Sequence, residues 1–91
     1  MRVECKEEYV KQFQKRIRLV MGIRGYSQTE LANKIGTTRE AVRTYVHGEN
    51  VPNIFTLRKI CDVIGCSSDY LLGISDDIHR EVTRILERSE E

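Results

Sequence analysis

The chain has 91 residues, of which 40% are hydrophobic and 32% charged, and its formal net charge is +1. This length supports one compact domain and excludes a second domain with a core of its own. The sequence has no stretch apolar enough for a membrane span or a secretory signal, so we expect a cytoplasmic protein. The three cysteines, Cys5, Cys61 and Cys66, form no pattern of zinc ligands, and we expect neither a metal nor another cofactor.

Charge is unevenly distributed along the chain. Between Lys11 and His47 there are eight basic and two acidic residues, a net charge of +6. From Asp76 to Glu91 three arginines stand against six acidic residues, a net charge of −3. The small total therefore conceals a basic segment and an acidic one, which indicates two faces of different character.

Hydrophobic periodicity predicts a first helix from about Glu8 to Ile23, with an apolar stripe formed by Phe13, Ile17, Val20 and Met21. The start of a second helix is marked by a capping box, in which Ser27 is followed three residues later by Glu30. Gly36 is suited to end this helix in a left-handed conformation.

A third helix is predicted to follow almost at once. Thr37 and Glu40 have the spacing of a second capping box, and Gly48 is placed to end the helix. Its apolar side consists of Ala41, Val42, Tyr45 and Val46. Two short helices joined by a turn of three or four residues have the geometry of a helix-turn-helix.

Two further helices and a C-terminal segment complete the prediction. After the loop that contains Pro52, Asn53 can cap a fourth helix whose apolar residues are Leu57, Ile60, Cys61 and Ile64. Ser67 can cap a short fifth helix. From Asp76 to Ser89 an amphipathic helix is predicted, with one apolar stripe formed by Ile78, Val82, Ile85 and Leu86.

From Gln28 to Gly48 the sequence resembles the phage-repressor and Cro family of helix-turn-helix regulators, also called the XRE family, and a weaker resemblance extends from Phe13 to Gly73. The motif has a small residue at Ala32, a glycine at the turn and an apolar residue at Val42, which lets two helices cross closely. The resemblance implies an all-α fold. We expect a compact five-helix lambda-repressor-like DNA-binding domain in residues 1–74 and an additional C-terminal amphipathic helix in residues 75–91.

The resemblance also implies which side chains meet DNA. The helix that starts near Thr38 would lie in the major groove, where Arg39 could contact a guanine and Glu40 a cytosine. Thr44 could touch a thymine methyl group. Gln28, Thr37 and Thr38 are expected to contact phosphates. Arg43 could contact either a base or a phosphate.

Glu40 has a second interpretation, as the capping partner of Thr37, and we prefer it to base reading. The sequence also departs from the family. An arginine–glutamate pair that many members have is replaced by Met21 and Val46, and the Glu49-Asn50 loop lacks basic residues. We therefore expect weak affinity for each domain and reliance on a dimer.

The resemblance implies a transcriptional repressor that binds double-stranded DNA as a homodimer on a two-fold operator. The C-terminal stripe of Ile78, Val82, Ile85 and Leu86 is one candidate for the dimer contact, and packing on its own domain is the equal alternative. No catalytic constellation is visible, so we expect no enzyme. The alternative function is a protein-interaction module, such as an antitoxin or a transcriptional adaptor, that binds a protein partner through the C-terminal helix.

Overall fold

The computed structural model describes the backbone of residues 4–79 and the side chains of residues 6–79, and every regular element in this region is a helix. The five elements are α1 (Glu4–Arg24), α2 (Gln28–Ile35), α3 (Arg39–Val46), α4 (Ile54–Ile64) and α5 (Ser68–Leu72). The predicted all-α, five-helix architecture is confirmed. α1 begins four residues earlier than predicted, and none of these helices is long and apolar enough to cross a membrane.

The core lies where the five helices meet. α1 packs against α3, α4 and α5, while α2 packs against α3 and α4. Each helix contributes one side chain with 0% exposure, and these are Ile17, Leu31, Val42, Ile60 and Leu71. Full burial of one such side chain stabilises the folded state by about 1.5–3 kcal/mol. The apolar periodicity read from the sequence is therefore the pattern that assembles this core.

The start of α2 is fixed by the predicted capping box. The Ser27 hydroxyl accepts a hydrogen bond from the Glu30 amide at 3.1 Å, and the Glu30 carboxylate accepts one from the Ser27 amide at 2.9 Å. The hydrogen bond from the Ser27 amide lowers the pKa of the Glu30 carboxyl below its ordinary value. At the other end, Gly36 adopts a φ of 75°, which is unfavourable for residues with a side chain.

The predicted capping box at the start of α3 is wrong. The N-cap is Thr38, whose hydroxyl accepts a hydrogen bond from the Ala41 amide at 3.1 Å. Thr37 instead closes the preceding helix, because its amide donates to the Ala32 carbonyl at 2.9 Å. Glu40 is consequently the second residue of α3, one position too early for a capping partner, and its carboxylate is left for another role.

The C-terminal segment also differs from its prediction. Residues 76–79 are not helical, although the amphipathic helix was expected to start at Asp76. Side chains compete with helical hydrogen bonding here, since the Ser75 hydroxyl accepts from the Asp77 amide and the Asp77 carboxylate from the His79 amide, each at 3.0 Å. Ile78 packs against the domain core, and its carbonyl accepts from the Ser67 amide at 2.9 Å. Val82, Ile85 and Leu86 lie outside the described residues.

Candidate nucleic-acid interface

The two faces of α3 differ sharply in composition. Val42 and Tyr45 are buried and attach the helix to the core. Burial raises the pKa of the Tyr45 phenol, which accordingly stays neutral. The first turn of the helix is exposed at Arg39 and Glu40, and Thr44 is half-buried one turn further on. A short helix anchored on one side thus presents a polar side to solvent.

Arg39 is exposed, whereas Arg43, the other arginine of α3, is half-buried. Arg39 is the first residue of α3, and its side chain forms no hydrogen bond or ion pair with another described residue. A cation at this position faces the positive end of the helix dipole, which costs stability.

Arg43 is engaged by two carboxylates. Its Nε and Nη2 donate to Glu40 at 3.0 and 2.7 Å, and its Nη1 and Nη2 donate to Glu49 at 3.3 and 3.0 Å. We call these three residues the Arg43 cluster. The paired guanidinium lowers the pKa of the Glu40 carboxyl, and the two carboxylates raise the pKa of Arg43.

The three threonines near α3 have separate local roles. Thr38 caps the helix and Thr37 belongs to the turn before it. The Thr44 hydroxyl donates its proton to the Ala41 carbonyl at 2.6 Å, which leaves its oxygen as an acceptor and its methyl group for apolar contact. The Thr38 cap satisfies the Ala41 amide and leaves the amides of Arg39 and Glu40 without an acceptor in the helix.

Gln28 lies at the first position of α2, beside a shallow depression that Arg18, Met21 and Val46 also line. Its Oε1 is buried and has no hydrogen-bond donor among the described residues. Arg18 is exposed on the same depression, so two potential phosphate donors lie together.

The apolar substitution noted in the sequence is accommodated at the same place. Met21 is buried with 6% exposure, and Val46 packs against the core. Both residues line the depression next to Gln28. Apolar side chains therefore occupy the position at which other members of the resembled family hold an ion pair.

The crossing of α2 and α3 over a glycine turn, with a polar face on α3, defines a helix-turn-helix domain. A family profile described as Helix-turn-helix matches residues 15–71, and the chain belongs to this XRE-type family. The chain is also similar to the SPbeta prophage-derived uncharacterized HTH-type transcriptional regulator YonR of Bacillus subtilis (strain 168), with 35% identity over 60 residues. The similar region spans 66% of this chain and 56% of that relative, little more than half of its length.

The structure brings Arg39, Glu40, Arg43 and Thr44 together on α3, with Gln28 at the start of the neighbouring helix. The sequence did not predict the pairing of Glu49 with Arg43. Glu49 lies beyond the end of α3, in a loop for which the sequence indicated only a lack of basic residues. The basic segment between Lys11 and His47 includes Arg16. The Arg16 side chain is only 15% exposed and donates to the Tyr70 and Ser75 carbonyls, so it adds little to the exposed basic surface.

Proposed function

We propose that this protein is a sequence-specific, DNA-binding transcriptional regulator that inserts α3 into the major groove. The observation that carries the proposal is the free guanidinium of Arg39 at the exposed first turn of α3. Arginine in this position can give two parallel hydrogen bonds to guanine N7 and O6. Glu40, Arg43 and Thr44 extend the same surface along the helix toward neighbouring base pairs.

Phosphate contacts would set the orientation of the domain on DNA. Gln28 and Arg18 supply side-chain donors beside the exposed N-terminus of α2, and Thr37 and Thr38 supply hydroxyl groups at the turn. The capping box leaves the amides of Gln28 and Thr29 without acceptors in the helix, and helix N-termini attract anions. These groups read no sequence themselves but fix which bases α3 meets.

The regulator is proposed to act in the cytoplasm as a repressor, in the form of a homodimer on a two-fold operator. A single domain reads only a half-site, and a dimer reads two half-sites about 34 Å apart. Because Ile78 packs on its own core, the dimer contact is assigned to Val82, Ile85 and Leu86, with Ile78 joining the segment to the domain.

Selection of bound sequences from a random duplex pool tests the proposal. We expect an enriched motif with two-fold symmetry and half-sites separated by about one helical turn. Enrichment of no motif would reject sequence-specific DNA binding, whereas enrichment of a single half-site would reject only the dimer.

A protein-interaction function, as in an antitoxin or an adaptor, is the second candidate. Ile54 and Phe55 at the start of α4 are 74% and 77% exposed, and they line the same groove as Cys66 and His79. Adjacent exposed apolar side chains are typical of protein contacts. Replacing both Ile54 and Phe55 by serine distinguishes the two functions. If the protein acts by binding a protein partner, that binding should be abolished; if it acts by binding DNA through α3, DNA binding should be unchanged.

A further inference from the structure

The Arg43 cluster leaves little of its guanidinium available. Arginine has five N–H donors. Four hydrogen bonds join this guanidinium to Glu40 and Glu49, each carboxylate being held by two. One N–H of Nη1 remains. Arg43 can therefore offer two parallel donors to DNA only if a carboxylate leaves.

The position of Glu49 is fixed by the backbone that ends α3. The Glu49 amide donates to the Thr44 carbonyl at 2.9 Å and the Gly48 amide to the Tyr45 carbonyl at 3.3 Å, which is the Schellman arrangement. Gly48 has a φ of 75°, as this turn requires. The turn folds the chain back beside α3, so that the Glu49 carboxylate reaches Arg43 six residues earlier.

The two carboxylates hold different edges of the guanidinium. Glu40 accepts from Nε and Nη2, and Glu49 accepts from Nη1 and Nη2, the edge at the tip of the side chain. Departure of Glu49 would free this terminal edge while Glu40 still oriented the plane of the group.

We propose that Glu49 is a specificity-determining residue that competes with DNA for the terminal edge of Arg43. The inference rests on the proposed function. A guanine opposite Arg43 accepts two hydrogen bonds through N7 and O6, and these replace the two that Glu49 accepts in the free protein. Other base pairs accept fewer hydrogen bonds from Arg43, and the displaced Glu49 carboxylate then repels the phosphates. The Arg43 cluster contains two carboxylates and one guanidinium, and it thereby lowers affinity for DNA that lacks the matching base pair.

The test measures the affinity of wild type and Glu49→Gln for the selected duplex and for a scrambled duplex over a range of salt concentrations. Glutamine keeps the size of the side chain and removes its charge. Glu8→Gln, an exposed change of equal charge on α1, is the matched control. Glu49→Gln is also made in an Arg43→Ala background, and circular dichroism checks that each variant is folded.

We expect Glu49→Gln to strengthen binding of the scrambled duplex more than that of the selected duplex, so that the specificity ratio falls several-fold. The slope of log K against log salt for scrambled DNA should steepen by about 0.9, the value for one added phosphate contact. Neither effect should occur with Glu8→Gln or in the Arg43→Ala background.

Equal strengthening on both duplexes, no change, weaker binding, or persistence of the effect without Arg43 would overturn the inference. A wild-type protein that prefers neither duplex rejects the proposed function. A wild type that discriminates, with an unchanged ratio in Glu49→Gln, rejects only the role of Glu49.

Discussion

Arg16 of α1 lies over the ring of Tyr70 in α5, with 4.3 Å between the guanidinium carbon and the ring centroid. Its Nη1 donates to the Tyr70 carbonyl at 2.8 Å and to the Ser75 carbonyl at 2.7 Å, and its Nη2 donates to the Asp76 carboxylate at 2.8 Å. One side chain thus joins the first helix to the last helix and to the segment that follows it.

Arg16→Lys should destabilise the domain by about 2 kcal/mol, because one ammonium group cannot make this set of bonds and the carbonyls lose a charged donor. Urea unfolding measures the change. Arg18→Lys is the matched control, since Arg18 is exposed and shares none of these contacts. Equal stability of the two variants would show that the Arg16 contacts contribute nothing.

Thr37 and Thr38 provide a direct comparison of neighbouring residues at the start of α3. Thr38→Ala removes the hydroxyl that accepts from the Ala41 amide and should lower the free energy of unfolding by about 1 kcal/mol. Thr37→Ala should have a much smaller effect, because this residue does not cap α3. The reverse order in thermal or urea unfolding would restore the capping role to Thr37.

Glu30 should make stability depend on acidity. Its pKa is lowered in the folded protein, mainly by the hydrogen bond from the Ser27 amide, relative to an ordinary value of 4.5. The resulting stabilisation is fully present above about pH 4.5 and is lost as the pH falls through the lower, folded-state pKa. Glu30→Gln should therefore be less stable than wild type at neutral pH and approach it in acid. A constant difference between the two unfolding curves at every pH would contradict this origin.

The dimer prediction concerns the C-terminal stripe. Ile85→Asp should convert a dimer into a folded monomer in sedimentation, because a carboxylate cannot be buried cheaply in an apolar contact. Thr83→Asp, which lies off the stripe, is the control and should leave the dimer intact. Ile78 is unsuitable for this test because it packs against the core of its own domain. A monomeric wild type, or an unchanged mass for Ile85→Asp, would exclude this contact.

The fold could be predicted because its signals are local. The apolar repeats, the Ser27–Glu30 capping box and the glycine after α2 each lie within a few residues of the structure they specify. The start of α3 lies one residue later than predicted, because Thr37 and Thr38 are both suitable caps by residue type. The structure distinguishes them by two hydrogen bonds, from the Ala41 amide to the Thr38 hydroxyl and from the Thr37 amide to the Ala32 carbonyl.

Two other features of the structure depend on contacts that a local sequence pattern does not predict. Arg16 meets Ser75 across 59 residues of sequence, so its bond depends on how α1 and α5 pack. Glu49 reaches Arg43 only because the chain turns back at Gly48. The Arg43 side chain is therefore already hydrogen-bonded to two carboxylates, whereas the Arg39 side chain is not. Arg39 is the stronger candidate for reading a base, a difference that the sequence alone does not predict.

The most direct test of the account is the affinity of Arg39→Ala for the duplex selected by the wild-type protein, measured by fluorescence anisotropy. Arg58→Ala, an exposed arginine of α4, is the control with the same change of charge. Loss of a bidentate guanine contact should cost about 1–3 kcal/mol of binding free energy and relax selection at one base position, while Arg58→Ala retains both affinity and selectivity. Unchanged affinity and selectivity in folded Arg39→Ala would contradict the assignment of α3 as the helix that reads DNA.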